Sequence, residues 1–344
     1  MIMRGGTSKG AYFVEADLPG YEAERDRFLM QVMGTPDARQ IDGLGGAHPL
    51  TSKVAVVSPS DRDDIDVEYL FLQLGVGEPT VTDRQNCGNI ISGVGQFAVE
   101  RGLMEAGDGP ATVRILMRNT GGVALAHFEV RDGAPVYEGD TSISGVPGTA
   151  APVAIDFLDV AGGSSGALLP TGNHTDSIEG VGVTLVDNGM PVVVIDAAEL
   201  GVSGYESCAE LESNQELTSR LESIRLAAGP MMNLGDVTDT TIPKMTMVAP
   251  PKEGGSLSTR TFIPHRCHDA IGVLGAVSVA TAARIPGTPA NELAELDESS
   301  IVILEHPTGT FDTLVEMDGE QVVRAGIIRT ARKLMDGVVF PRSY

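Results

Sequence analysis

Cysteine and lysine are the two residue types in this chain whose placement points to proton chemistry. Among 344 residues there are three cysteines and five lysines: Lys9, Lys53, Lys244, Lys252 and Lys333. Cys87 is followed by Gly88-Asn89, small residues that let a ligand approach backbone N–H groups where a helix begins. Such a terminus stabilises a thiolate and binds carboxylates. Lys53 opens the apolar run Ser52-Lys53-Val54-Ala55-Val56-Val57, where strand alternation puts it on one face with Ala55 and Val57. Burial there would lower its pKa and make it a base near neutral pH. Each has a plainer reading. Buried cysteines often serve as small hydrophobes, and a lysine at a strand end can reach water along its own stem.

An internal duplication raises the interest of Cys87. Asn86-Cys87-Gly88-Asn89-Ile90-Ile91-Ser92-Gly93-Val94-Gly95 matches Arg266-Cys267-His268-Asp269-Ala270-Ile271-Gly272-Val273-Leu274-Gly275, about 180 residues on. Both cysteines then head an apolar helix, and two half-sites facing one cleft are expected. Arg4-Gly5-Gly6-Thr7-Ser8-Lys9-Gly10 carries two cations and two hydroxyls on a glycine-rich loop, suited to a carboxylate or phosphate or simply a solvated turn. Its residue order is wrong for a Walker A loop. Pro170-Thr171-Gly172-Asn173 is a second candidate anion loop, and Asp187-Asn188-Gly189-Met190-Pro191 a tight turn able to present backbone N–H groups. His265, Cys267, His268 and Asp269 have metal-ligand side chains at poor spacing, so no metal is expected. No G-x-S-x-G or G-x-G-x-x-G motif supports a hydrolase triad or dinucleotide binding.

Two cores fit a chain of this length and 42% hydrophobic content. A net charge of −23 argues against nucleic acid or an anionic membrane as partner; a salty cytoplasm is one reading of the acidic excess. No apolar run is long enough for a membrane span, the start does not read as a secretory segment, and three unpatterned cysteines suit a reducing compartment, so a cytoplasmic location is expected. Cys208 reads as incidental.

The elements that must hold these residues are many short Val/Ile-rich strands, including 53–57, 67–73, 112–117, 181–186, 191–195 and 301–304. Helices are expected at about 21–33, 88–101, 208–227 and 268–283, with strand-like termini. Gly93, Gly95, Gly272 and Gly275 weaken their helices by about 1 kcal/mol each, which predicts close packing of strands around them. The Gly/Ser-rich Ala161–Gly166 segment puts a boundary near residue 155. The fold class is α+β: two similar domains, each a curved, barrel-like mixed β-sheet around a central helix.

Met3-Arg4-Gly5-Gly6-Thr7-Ser8-Lys9-Gly10, Gly45-Gly46-Ala47-His48-Pro49-Leu50-Thr51-Ser52-Lys53 and Asn86-Cys87-Gly88-Asn89 together resemble the PrpF family of isomerases, with its diaminopimelate epimerase-like fold. Arg260 through Gly272 leans toward the 4-oxalomesaconate tautomerases within it. The resemblance covers nearly the whole chain. It implies an active site in the interdomain cleft, no cofactor, and a terminal strand (about 325–344) returning to the first domain, giving domains 1–155 plus 325–344 and 156–324. It further implies Lys53 and Cys87 as catalytic residues, with Arg4, Ser8, Gly88, Asn89, Arg260, Cys267 and His268 around the substrate. The epimerases of the fold place small residues after the second cysteine, where this chain has His268-Asp269, which disfavours a two-thiol racemase. The expected activity is 4-oxalomesaconate keto–enol tautomerisation. The alternatives are cis–trans isomerisation of 2-methylaconitate, a methylitaconate-type allylic shift, or carboxylate binding without catalysis. A homodimer is compatible with such folds.

Overall fold

A computed structural model describes residues 1–84 and 86–342. The chain divides into two compact units, one of Met1–Leu158 with Ile328–Tyr344 and one of Asp159–Ile327. The first stretch carries β1 (Ile2–Gly5), β2 (Ser8–Val14), α1 (Glu22–Met33), β3 (Lys53–Pro59), β4 (Val67–Leu74), β5 (Val81–Thr82), α2 (Val94–Glu100), β6 (Gly109–Met117), β7 (Val123–Arg131), β8 (Ala134–Pro135) and β9 (Pro152–Leu158). There follow β10 (Asp176–Ile178), β11 (Val181–Asp187), β12 (Pro191–Asp196), α3 (Cys208–Ser213), α4 (Gln215–Met231), β13 (Lys244–Ala249), β14 (Leu257–Phe262), α5 (Val273–Arg284), α6 (Pro289–Leu293), β15 (Ile301–His306), β16 (Gly309–Asp318) and β17 (Gln321–Met335).

In the first unit the sheet closes on itself. β1 and β2 form an antiparallel hairpin, β3 runs parallel to β2, β4 antiparallel to β3, β6 parallel to β4, and β7 and β9 follow antiparallel. β17 pairs with both β9 and β1, completing the ring. Closure leaves no free edge in this ring. α2 runs inside it, and Val94 through Ala98 are all buried. Its glycines have the expected reason: a Cβ on Gly95 would lie 2.6 Å from the Phe128 ring, and one on Gly93 2.7 Å from the Tyr12 hydroxyl. Outside the sheet, Leu29 and Met33 of α1 cover Ala11, Val54, Val56, Leu70 and Leu72.

The second unit repeats the order of pairings. β11 and β12 are an antiparallel hairpin, β13 is parallel to β12, β14 antiparallel to β13, β15 parallel to β14, and β16 and β17 follow antiparallel. α5, buried from Gly275 to Ala283, is its central helix, and α4 covers the outer face through Leu217, Leu221 and Ile224.

Several expectations need correction here. The second central helix starts at Val273, because the His268 ring takes the Ala270 N–H (2.8 Å) and Gly272 is extended. Cys267 therefore lies well ahead of it. Added Cβ atoms on Gly272 or Gly275 would meet nothing within 4 Å, so close packing explains only the first pair of glycines. The helix expected at 208–227 is two, broken where Asn214 ends α3 and caps α4 through Leu217 N–H (3.1 Å). Strand structure at the C-terminus stops at Met335.

Candidate active site

Lys53 is the first residue of β3 and faces the inside of the first barrel with Ala55 and Val57, since Val54 and Val56 belong to the outer cluster under α1. Cys87 opens the helical entry into α2, its carbonyl accepting the Ile91 N–H at 3.1 Å. The two side chains meet: Lys53 Nζ lies 3.5 Å from Cys87 Sγ. Both are buried, at 7% and 8% exposure. The Phe71 ring stands beneath the ammonium, 5.0 Å from its centroid, which favours the cation. No carboxylate pairs with Lys53 among the described residues. The sulfur and nitrogen can therefore share one proton, as thiolate and ammonium or as thiol and amine.

Side chains that sequence reasoning did not single out hold this pair in place. Gln40, 1% exposed, accepts from Ser52 Oγ at 2.6 Å and from Ala47 N at 2.9 Å, pinning the loop that delivers Lys53. Gln73 Nε2 and Leu74 N both donate to the Ser52 carbonyl at 3.1 Å. Tyr12 donates to the Ile90 carbonyl at 2.5 Å, tying β2 to the helical entry. Burial, then negative charge at Cys87, push the Tyr12 and Tyr69 phenols well above their ordinary range, and the buried Tyr69 hydroxyl has no partner among the described residues. A single glutamine in a loop carries no sequence signal of such a role.

Gly88 and Asn89 follow Cys87, and among the described residues their backbone N–H groups meet no acceptor. The Asn89 side chain accepts Thr7 N–H at 3.4 Å, bringing the β1–β2 turn against the turn that follows Cys87. Gly6 in that turn has φ +51, and a Cβ there would fall 2.2 Å from Asn89 Oδ1, so glycine is required. Ser8, 2% exposed, shares the inner face with Gly10, the residue paired with Lys53, and its hydroxyl is unpartnered among the described residues. Arg4 alternates to the opposite face from Gly5, and its guanidinium bonds the Gly6 and Thr330 carbonyls at 3.0 and 2.9 Å.

In the second unit, Arg260 donates to the Glu206 and Thr259 carbonyls at 2.7 and 2.8 Å. Cys267 packs in the apolar cluster between sheet and outer helices, its N–H bound to Glu212 at 2.9 Å. Burial, then a hydrogen bond with Cys208, raises the Cys267 thiol far above the ordinary range, so Cys208 is a packing neighbour rather than a bystander. Burial holds His268 below the usual imidazole range, with Asp269 opposing and Lys244 reinforcing that shift. Lys244 itself drops to about 8, first by burial and then by Arg225. Nothing in its sequence context singles it out. Its signal is topological: it opens β13 opposite Val192 of β12, as Lys53 opens β3 opposite Gly10 of β2. The loops read as anion cradles are self-satisfied. Thr171 and Asn173 bond Asp176 at 2.6 and 2.8 Å, and Asn188 N–H is taken by Ser278 of α5 at 3.0 Å.

Residues 1–342 match the family described as PrpF protein. The chain belongs to the PrpF family. It is 58% identical to a (4E)-oxalomesaconate Delta-isomerase of Novosphingobium sp. strain KA1, over 99% of this chain and 96% of that one. A 4-oxalomesaconate tautomerase of Pseudomonas putida is 55% identical, over 98% and 94%. Among solved structures, a methylitaconate-delta-isomerase superposes with TM-score 0.90 at 34% identity, covering 98% of this chain and 93% of the other. The PrpF family's diaminopimelate epimerase-like fold is the architecture described above, in each unit a curved sheet around one helix.

Proposed function

We propose that this protein is a cofactor-independent isomerase that moves a proton within a small unsaturated polycarboxylate, interconverting the keto and enol forms of 4-oxalomesaconate. The observation that carries this reading is the buried 3.5 Å contact between Lys53 Nζ and Cys87 Sγ. It brings an amine and a thiol side by side, and a proton shift needs one group to act as base and another as acid. Lys53 takes or returns the carbon-bound proton and Cys87 serves the other proton position. Each such group contributes about 10²–10⁴ in rate. The Gly88 and Asn89 amides and the Ser8 hydroxyl are donors for a carboxylate or enolate oxygen, and fixed donors of this kind are worth about 3–4 kcal/mol in the transition state. The two relatives named for oxalomesaconate support the substrate. Arg260, Cys267 and His268 are assigned to substrate contacts on the resemblance alone.

A second reading, a 1,3-allylic shift in a methylitaconate-like acid, is favoured by the likeness to the methylitaconate isomerase. It begins with the same deprotonation and differs in where the proton returns. Proton NMR in heavy water separates them, using 4-oxalomesaconate, cis- and trans-2-methylaconitate and methylitaconate with wild type and Lys53→Ala. Lysine-dependent deuterium uptake into 4-oxalomesaconate is the expected result. Turnover of only a methyl-substituted acid would move the assignment to the second reading. Binding without exchange of any carbon-bound proton would make the protein a carboxylate carrier.

A further inference from the structure

The β1–β2 hairpin that presents Ser8 on its inner face presents a different chemistry on the other. Arg4 on β1 stands directly opposite Arg332 on β17 and directly opposite Lys9 on β2. Three cations thus lie side by side across three adjacent strands, on the face away from Gly5, Gly10 and the Lys53 side chain. Like charges in directly paired positions destabilise a sheet. The chain has 47 Asp and Glu against 24 Lys and Arg, yet none of these three cations pairs with a carboxylate among the described residues. Arg4 donates only to neutral oxygens, the Gly6 carbonyl (3.0 Å) and the Thr330 carbonyl and hydroxyl (both 2.9 Å). These bonds orient the guanidinium without cancelling its charge. Burial, then the adjacent Arg332, disfavours that charge further.

The trio borders a half-open cavity of about 440 Å³, lined also by the Ile143–Ala150 segment. Thr51 and Thr330 add hydroxyls to the wall, and Glu138 is its one carboxylate among the described residues. Thr7 and Ser8 of the hairpin border it as well, so that Ser8 adjoins both this cavity and the Lys53–Cys87 side. An oriented guanidinium, two further cations and hydroxyls around a half-open cavity form a receptor for an oxyanion carrying more than one charge. Because the protein's overall charge repels anions, local cations must supply the attraction. We propose that this cavity binds a small multiply charged oxyanion, inorganic phosphate or a polycarboxylate, separately from the Lys53–Cys87 pair. Occupancy would relieve the repulsion among the three strands and so stabilise the first unit.

The test is titration calorimetry of the full chain with inorganic phosphate and, separately, citrate, in three proteins: wild type, Lys9→Gln/Arg332→Gln, and Lys53→Ala/Cys87→Ala. One-to-one binding that survives loss of the Lys53–Cys87 pair and weakens roughly tenfold or more in Lys9→Gln/Arg332→Gln is expected. Binding of phosphate alone, or of citrate as well, identifies the source. Melting curves give an independent readout: Lys9→Gln/Arg332→Gln should melt above wild type without anion and gain nothing when the anion is added. If the double variant does not fold, the two single variants answer the same question. Absence of binding to wild type would overturn the proposal. So would equal affinity in the cation variant, or loss of binding only in Lys53→Ala/Cys87→Ala.

Discussion

Lys53 and Lys244 occupy the same topological position in two halves of one chain. Each is the first residue of a strand that runs parallel to the second strand of its unit's hairpin. Their surroundings have diverged. Lys53 touches a thiol over an aromatic ring, while Lys244 donates to the Thr241 carbonyl at 2.7 Å and has the Arg225 guanidinium and the His268 imidazole near it.

Cys87→Ser should fold as wild type, because serine fills nearly the same buried volume. Turnover should fall by about 10²–10⁴, the worth of one proton-transfer group. The effect should lie in kcat rather than KM, since the role proposed for the sulfur is in the chemical step. Steady-state kinetics with oxalomesaconate, alongside circular dichroism, checks both halves of the statement.

The contrast between the two central helices predicts mutations of opposite sign. Gly95→Ala drives a methyl to 2.6 Å from the Phe128 ring and should cost about 1–3 kcal/mol. Gly275→Ala meets open space and should stabilise by about 0.5–1 kcal/mol through helix propensity. Urea unfolding of the two variants measures the difference directly.

Lys244 gives a pH dependence with a definite sign. Its folded pKa of about 8 lies below the ordinary lysine value of 10.5, so the unfolded chain binds more protons between the two. Its contribution to stability therefore rises with pH across that window and is flat below it. Lys244→Met should be more stable than wild type at pH 7, and the gap should narrow toward pH 10. Tm measured at intervals of pH for both proteins tests this.

Gln40→Leu should act on Lys53 from a distance. It leaves Ser52 Oγ and Ala47 N–H without their acceptor, a loss of about 1–3 kcal/mol in stability. Activity should fall as well, and Gln40→Glu, which keeps an acceptor, should restore much of it. A purely structural role would lower Tm and leave kcat unchanged in the fraction that remains folded.

Much of the first unit was legible in the sequence because its signals are local. A lysine opening an apolar strand and a cysteine before Gly-Asn are patterns in single short segments, and the pairing of 53 with 87 also follows from the family resemblance. The second unit was misread for a physical reason. The likeness of 87–95 to 267–275 suggested equivalent helix starts, but His268 bonds the Ala270 N–H and delays the helix to Val273. Nothing in the spelling of Gly275 distinguishes it from Gly95; only the side chains that surround each one do. Lys244 escaped notice because its signal is the pairing of β12 with β13, which the sequence does not display.

The return of β17 to β1 bears on how the protein is made. The residues of the second unit form one uninterrupted stretch, 159–327, whereas the first barrel needs Ala331–Met335 to complete its ring. On the ribosome, where domains fold as they emerge, the stretch made first is the one that must wait. Its Lys53–Cys87 pair sits in a sheet still open at β1 and β9, with exposed edges, until the far end of the chain has been synthesised.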